Sequence, residues 1–306
     1  MVFWGLAALA AVTVALALWR GARAEAHNPA RGQLIDGVHV ETYGDAAAPP
    51  VVLIHGASGS TYDMGFRLAP ALADTFRVYV VDRPGFGHSA PITDESPTAQ
   101  ARAIRAAVAQ IDPRAPLVAG QSYGGAVALA WALDAPDSLA ALTLISAPSQ
   151  VWVGGTAPLH RVLSTPVLGD LAAWLIAAYT PRGLIAAELA GVFDPEAEPE
   201  GYAAYFAAEM SLRPATHRLN ARQRVALKGQ IAAMVPAYPT LTVPIESVHG
   251  DADIIVPLSI HAEPLAAQVP TDVLTVLDGA GHMPHQTRTE AVTSAIKRAA
   301  TRAALL

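Results

Sequence analysis

The sequence contains no cysteine among its 306 residues. A disulfide framework, a thiolate zinc site and a cysteine nucleophile are therefore excluded. Charged residues are also scarce, at 15% of the chain, and the net charge is -6. Because the chain has neither a basic run nor an interleaved aromatic stripe, its composition does not favour binding to nucleic acid.

The sequence also lacks the patterns that are typical of metal-binding and phosphate-binding sites. No cluster of metal-ligating residues is evident, and the glycine-rich stretch 55–60 lacks the lysine of a phosphate-binding loop. We therefore expect neither a cofactor nor a metal. Hydrophobic residues make up 52% of the chain, which excludes a disordered protein and supplies enough apolar side chains for a large core.

Charge is absent altogether from residues 2–19, and Arg20 follows directly. An apolar helix of this length spans about 27 Å, close to the hydrocarbon core of a bilayer. We predict a single membrane anchor over residues 1–20. A secretory signal cleaved near 24–26, which would release a periplasmic or secreted protein, stays open as the alternative, and so does the side of the membrane.

Apolar runs of strand length alternate with helical patterns after a small, polar segment over 21–33, which we interpret as a linker. Alternation of this kind predicts a parallel sheet covered by helices on both faces. Strands are predicted at 38–42, 51–54, 78–81, 117–119, 139–145, 245–249 and 273–277. Helices are predicted between them at 64–72, 99–110 and 124–133, and at the end of the chain at 291–303.

The alternation is interrupted over residues 148–238. This segment contains many prolines and helical patterns but no convincing strand. Its predicted helices lie at 171–179, 183–192 and 202–212. We predict that it is a helical insertion in an α/β core made of residues 34–147 and 239–306.

A candidate nucleophile lies in the sequence Gly120-Gln121-Ser122-Tyr123-Gly124, which fits the pattern G-x-S-x-G. The pattern follows a short buried strand and precedes a helix rich in small residues, which is the context it requires. A sharp turn there would lift the serine hydroxyl above the sheet, and the flanking glycines would allow close approach of the backbone. We predict that Ser122 is the nucleophile of a serine hydrolase.

Serine is a weak nucleophile, and it needs a base that a carboxylate orients. His282 follows the last predicted strand and is the predicted base, with His285 as its competitor. In the loop after the strand 245–249, Asp253 is the predicted acid, because the apolar run that follows would hold it in place. Asp251 is the alternative acid, although aspartate commonly caps a turn.

An oxyanion hole needs two N–H donors aimed at the tetrahedral oxygen. Tyr123, directly after the nucleophile, is predicted to supply one of them. The second is expected from the turn after the strand 51–54, where a small residue lets the backbone approach the substrate. We predict Ala57 for this position, with Ser58 as the alternative.

These patterns together resemble the α/β-hydrolase superfamily over about residues 38–300. The resemblance implies an eight-stranded, mostly parallel sheet flanked by helices, with a helical lid after the sixth strand that corresponds to residues 148–238. The insertion sequence also resembles that of bacterial members with an N-terminal hydrophobic segment. The motifs that carry the resemblance are His55-Gly56, the stretch 82–89, Gly120 to Gly125, Gly250 to Asp253, and Gly281-His282. The stretch 82–89 looks like a turn of structural importance in that family.

The expected reaction is acyl transfer to water through an acyl-enzyme on Ser122, as in a carboxylesterase. Hydrolysis of a lactone or of a carbon–carbon bond by the same triad stays open, and so does a non-catalytic binding protein on this fold. The expected partners are a small, lipophilic acyl substrate and the membrane. The insertion contributes apolar side chains, most of which we expect to pack the insertion against the main domain and some to line an acyl pocket: Leu171, Trp174, Leu175, Tyr179, Leu184, Tyr202, Tyr205 and Phe206.

Overall fold

The computed structural model describes the backbone of residues 2–306 and the side chains of residues 3–306. Met1, the first residue of the predicted anchor, lies outside the described residues. The strands are β1 (Gln33–Ile35), β2 (Val38–Tyr43), β3 (Pro50–Ile54), β4 (Arg77–Val81), β5 (Leu117–Gln121), β6 (Ala141–Ile145), β7 (Ile245–Gly250) and β8 (Asp272–Leu277).

The helices surround these strands and also fill the long connection between β6 and β7. They are α1 (Val2–His27), α2 (Thr61–Met64), α3 (Leu68–Leu72), α4 (Pro97–Ile111), α5 (Tyr123–Asp134), α6 (Pro158–Ser164), α7 (Leu168–Tyr179), α8 (Arg182–Gly191), α9 (Tyr202–Tyr205), α10 (Ala208–Ser211), α11 (Pro214–Met234), α12 (Ala262–Gln268), α13 (Pro284–Thr287) and α14 (Thr289–Arg302). Short 3-10 turns occupy Pro136–Ser138 and Val235–Thr240.

All eight strands form one sheet, in the order β1-β2-β4-β3-β5-β6-β7-β8. Strands β3 to β8 run parallel to one another, whereas β2 is antiparallel to both β1 and β4. This architecture confirms the predicted eight-stranded, mostly parallel sheet flanked by helices.

Alternate residues of the central strands bury opposite faces of the sheet, as the two-residue period of a strand requires. Val52 and Ile54 of β3 pack into a core that α4 and α5 cover. Val51 and Leu53 of the same strand pack into a second core, which α3 and α14 cover. Burial on both faces explains why these strands consist of continuous apolar runs.

Two predicted helices are each divided in two, and these predictions were wrong. The helix expected over 64–72 is interrupted at residues 65–67: α2 ends at Met64, where the backbone N–H of Gly65 caps it by donating to the carbonyl of Thr61, and α3 begins only at Leu68, after Arg67 with a non-helical φ of -127°. The helix expected over 202–212 is α9 and α10. Ala207 lies between them with a φ of 58°, and a left-handed residue interrupts the helical hydrogen bonds.

The N-terminal helix is longer than predicted, since it includes residues 21–27 of the expected linker. Within its span Phe3–His27 it is long and apolar enough to cross a membrane, and most of its surface is exposed. It packs along α7 of the insertion. The Arg20 guanidinium donates hydrogen bonds to the carbonyls of Ala178 and Thr180, at 2.9 and 2.8 Å, where α7 ends. Arg20 therefore satisfies carbonyl groups that the end of α7 leaves free.

Candidate active site

Ser122 lies at a strained turn between β5 and α5. Its φ of 49° and ψ of -121° are far from those of an ordinary helix start. A Cβ added to Gly124 would lie 2.2 Å from the carbonyl oxygen of Ile54, and one added to Gly120 would lie 2.2 Å from the carbonyl oxygen of Gly124. Only glycine allows this close approach, so both glycines are needed to form the turn that presents the serine.

His282 lies in the loop after β8 and contacts both of its predicted partners. Its Nε2 is 3.0 Å from the Oγ of Ser122, and its Nδ1 is 2.8 Å from Oδ2 of Asp253. A carboxylate only accepts hydrogen bonds, so Nδ1 carries the proton and Nε2 presents its lone pair to the serine hydroxyl. This is the tautomer that a general base at Ser122 requires.

Asp253 lies in the loop after β7 and is held by the backbone as well as by histidine. Its Oδ1 accepts hydrogen bonds from the N–H groups of Ile255 and Val256, both at 2.9 Å. Burial raises the pKa of Asp253, but the interactions with His249 and His282 outweigh this effect and hold the pKa below its usual value. The carboxylate is therefore ionised at neutral pH.

His249 is a member of this cluster that the sequence analysis missed. It lies at the buried end of β7, where its Nε2 donates to the carbonyl of Val256 at 2.6 Å and lies 3.4 Å from Asp253 Oδ2. The signal available in the sequence was its position one residue before Gly250, at the carboxyl end of a strand that leads to the predicted acid. By its hydrogen bond to Val256, His249 stabilises the loop that holds Asp253.

The two alternative residues lie elsewhere. Oδ1 of Asp251 accepts a hydrogen bond from the backbone N–H of Gly279 at 2.8 Å, and the residue is exposed. His285 is buried, and its Nε2 lies 3.0 Å from Oδ1 of Asp63. Neither contacts Ser122, so the structure brings His282 and Asp253 to the serine instead.

The backbone around Ser122 offers two N–H groups that other atoms do not use. Ala57 and Tyr123 line the same cavity as Ser122. Within residues 2–306, neither N–H takes part in a loop or side-chain hydrogen bond, and the first N–H of a helix has no partner within it. The N–H of Ser58, the alternative, already donates to Oδ1 of Asn220 at 3.3 Å. The pair Ala57 and Tyr123 is thus available to an oxyanion.

Known proteins share this architecture. A model of the Alpha/beta hydrolase family matches residues 51–295. The chain belongs to this family. Over 266 residues it is 28% identical to a 2-hydroxy-6-oxononadienedioate/2-hydroxy-6-oxononatrienedioate hydrolase of Pseudomonas sp., a match that covers 82% of this chain and 87% of that protein.

This α/β hydrolase is also similar to two esterases. It is 26% identical over 261 residues to the pimeloyl-(acyl-carrier protein) methyl ester esterase of Vibrio campbellii, with 83% of this chain and 94% of that protein covered. The solved structure of a thermophilic esterase from Thermogutta terrifontis is similar with a TM-score of 0.65 and 25% identity, and the match covers 87% of this chain and 93% of that one.

A cavity of about 350 Å³ adjoins Ser122, within the size range of small-molecule sites. None of the apolar insertion residues expected at an acyl pocket lines it, and that expectation was wrong. Tyr202 and Phe206 instead pack on one another and on Met283, whereas Leu171 is exposed. The apolar part of the cavity wall consists of Trp152, Val153, Leu227, Ile255, Val256 and Ile260.

The stretch 82–89 lies beneath the turn that carries Ala57. The buried guanidinium of Arg83 donates four hydrogen bonds, to the carbonyls of His55 and Gly56 and to the side-chain oxygens of Gln100 and Gln223. These bonds connect the turn after β3 with α4 and with α11 of the insertion. The contacts of Arg83 agree with the structural role expected for this stretch.

Asp63 joins the His282 loop to the insertion. Its Oδ1 accepts hydrogen bonds from the Tyr202 hydroxyl at 2.8 Å, and from the side chains of His285 and Gln286, both at 3.0 Å. Burial raises the pKa of Asp63, but the interactions with His285, Tyr202 and Gln286 outweigh it and lower the pKa. One ionised carboxylate therefore connects three segments that are distant in sequence: α2, the insertion and the segment that follows His282.

Replacement of Asp63 by alanine is expected to lower the free energy of unfolding by about 3 kcal/mol, because the buried Tyr202 and His285 lose their acceptor and Gln286 keeps only its bond to the backbone carbonyl of residue 63. Urea unfolding measures this change, and the exposed Asp74→Ala variant, expected to unfold like the wild type, is the control.

The pKa of Asp63 is lower in the folded chain than in the unfolded chain. The contribution of Asp63 to the free energy of unfolding is therefore full above the unfolded pKa of about 3.9 and is lost as the pH falls below it. The difference between wild type and Asp63→Ala should therefore shrink in acid. A difference that stays constant or grows as the pH falls would contradict the role of the ionised carboxylate.

Proposed function

We propose that this α/β hydrolase cleaves carboxylic esters or related acyl substrates through an acyl-enzyme on Ser122. One observation carries the proposal: Ser122, His282 and Asp253 form a continuous hydrogen-bonded chain, at 3.0 and 2.8 Å, beside a cavity of small-molecule size. The lowered pKa of Asp253 supports it, because the ionised carboxylate stabilises an imidazolium that forms during the reaction.

In this mechanism the Oγ of Ser122 attacks the carbonyl carbon while Nε2 of His282 takes the hydroxyl proton. The N–H groups of Ala57 and Tyr123 donate to the tetrahedral oxygen, and Asp253 stabilises the imidazolium. The bond to the leaving oxygen then breaks, and His282 gives its proton to the departing alcohol. A water molecule, deprotonated by the same histidine, attacks the acyl-enzyme in a second round and releases the carboxylic acid.

A second candidate is hydrolysis of a carbon–carbon bond in a small diketone-like acid. The likeness to the Pseudomonas hydrolase, which covers 82% of this chain, favours it. The triad is common to both reactions, so their distinction depends on the cavity wall rather than on Ser122. Lactone hydrolysis stays a variant of the first reaction, since a lactone is a cyclic ester.

The direct test is turnover of 4-nitrophenyl acyl esters by the full chain, together with covalent labelling by a fluorophosphonate probe. Turnover and labelling that both depend on Ser122 would support the proposal. A chain that is folded but neither labels nor turns over any ester, lactone or diketone would point to a non-catalytic binding protein.

We also propose that α1 is retained as a membrane anchor rather than removed as a signal. Cleavage near 24–26 would remove Arg20 from the carbonyls at the end of α7. It would also remove Thr13, whose hydroxyl lies 2.9 Å from that of Tyr179. These contacts make α1 part of the packed insertion, which favours retention of the segment.

The full chain produced in a bacterial host is expected in the membrane fraction, resistant to a high-salt wash, because the apolar span partitions into lipid. The intact mass should retain residues 1–26. A matched variant that begins at Gly21 should move to the soluble fraction. Recovery of a soluble chain that begins beyond Ala24 would instead identify a cleaved signal.

A further inference from the structure

One cation in the cavity beside Ser122 has no hydrogen-bond or ion-pair partner among the residues that the structure describes. Arg224 lies on α11, and it lines the same cavity as Ser122 and Tyr123. No hydrogen bond or ion pair joins its guanidinium to the described atoms of residues 2–306, and the residue is half-buried. Burial lowers the pKa of Arg224, and no opposite charge offsets this effect.

The other buried or helix-borne cations nearby are all satisfied. Arg83 is fully buried, yet its guanidinium donates four hydrogen bonds. The remaining cations of α11 also have acceptors, which are Asp170 for Arg218, Glu95 for Arg222 and the carbonyl of Gly154 for Lys228. Among the cations of α11, Arg224 is thus the one without an acceptor in the described residues, and it lies beside the predicted nucleophile.

The titratable neighbours of Arg224 do not supply a negative charge. Burial and the charge of Arg224 lower the pKa of His160 to about 4. Burial and His249 lower the pKa of His261, on the same cavity wall, to about 4. Both rings are neutral at pH 7, and none of the described residues that line the cavity is acidic. Nδ1 of His160 is buried without a partner, so it offers one more unused polar atom close to the guanidinium.

Arg224 is half-buried, and a charge that is partly removed from water without a partner is unfavourable, so proteins normally provide a counter-charge or hydrogen bonds for it. When such a charge faces a cavity of about 350 Å³ beside a nucleophile, the ligand is the remaining source of the anion. A guanidinium matches a carboxylate through two parallel N–H···O bonds. A single cation with neutral neighbours suits a singly charged carboxylate better than a phosphate dianion.

We propose that Arg224 binds a carboxylate of the substrate, and that the enzyme acts on acyl compounds that carry this carboxylate in addition to the scissile bond. The apolar wall formed by Trp152, Leu227 and Ile260 would contact the carbon chain that separates the two groups. This inference rests on the proposed function, because it requires Ser122 to be the nucleophile of the same cavity.

The test compares matched ester pairs that differ by one carboxylate. Mono-4-nitrophenyl adipate against 4-nitrophenyl hexanoate places the charge on the acyl side, and 4-carboxyphenyl against 4-carbamoylphenyl butyrate places it on the alcohol side. The wild type should prefer the charged member of at least one pair. In Arg224→Gln, KM for that member should rise roughly tenfold to a hundredfold, as expected for a lost charged hydrogen bond, whereas turnover of the neutral member changes little.

Arg222→Gln is the control, because Arg222 lies on the same helix but pairs with Glu95 outside the cavity. It should leave both members of each pair unchanged. Arg224→Lys keeps the positive charge but loses the two parallel N–H donors of the guanidinium, so it should retain part of the preference for the ester that carries the carboxylate. Equal preference of the wild type for charged and neutral esters, or an equal loss of both in Arg224→Gln, would overturn the proposal.

A binding measurement separates this inference from the proposed function and covers the case in which Arg224→Gln does not fold. In calorimetry, the Ser122→Ala chain should bind hexanoate at least about tenfold more tightly than hexanamide. Arg224→Lys in the same background should reduce this difference, which distinguishes binding at Arg224 from binding at the N–H groups of Ala57 and Tyr123. A difference that depends on Arg224 is therefore the expected result. If that difference is present while no ester is turned over by the wild type, the carboxylate site stands and the hydrolase proposal fails. If hexanoate and hexanamide bind alike, the carboxylate site fails whatever the activity.

Discussion

Replacement of Ser122 by alanine is expected to lower kcat for 4-nitrophenyl esters by roughly five to six orders of magnitude, the loss found when a triad nucleophile is removed. No other hydroxyl can take over, because Nε2 of His282 contacts Ser122 and the strained turn positions this side chain alone. The residual rate should come from binding and from the N–H groups of Ala57 and Tyr123. Initial rates at saturating ester measure the effect.

The half-buried Ser164 supplies a matched control for that experiment, since its hydroxyl only donates to the carbonyl of Arg161 within its own helix turn. Ser164→Ala should keep wild-type turnover and wild-type labelling by a fluorophosphonate. Ser122→Ala should lose both while its thermal unfolding stays close to that of the wild type. Unchanged turnover in Ser122→Ala would remove the residue from the mechanism.

The fold and the neighbourhood of Ser122 were largely predictable because their causes are local. The strands β3 and β5 are buried on both faces, so they appear in the sequence as unbroken apolar runs. Ser122, Asp253 and His282 each follow a parallel strand, β5, β7 and β8 respectively, and the carboxyl ends of parallel strands meet at one edge of a sheet. Their proximity therefore followed from the order of the elements.

The parts that escaped prediction have causes distant in sequence. β1 is a short, mostly exposed strand at the sheet edge, with no apolar run to mark it. The break at Ala207 accompanies its packing against Ala24 of α1 and Tyr62 of α2. Arg224 is one of several arginines on a helix of mixed polarity, and only the fold distinguishes it from those that find acidic partners. Sequence periodicity carries no record of such contacts.

Replacement of Asp253 by asparagine is expected to lower kcat by about four orders of magnitude while the fold is kept, the size of effect known when a triad histidine is held in the wrong tautomer. The reason lies in the two backbone donors. The N–H groups of Ile255 and Val256 both donate to Oδ1, so the amide oxygen of asparagine would take this place. Its NH2 group would then face Nδ1 of His282, which would have to accept a hydrogen bond.

With Nδ1 as the acceptor, the neutral ring of His282 would carry its proton on Nε2 and present an N–H to Ser122 instead of a lone pair. The base would be lost with almost no change in shape. Asp251→Asn is the matched control, because its side-chain oxygen can still accept from the N–H of Gly279 and should keep near-normal kcat. Steady-state turnover of 4-nitrophenyl butyrate by the two variants decides between the two acids. A large loss of kcat in Asp251→Asn with little loss in Asp253→Asn would exchange their roles. A large loss of kcat in Asp253→Asn alone would place the charge that orients His282 at Asp253.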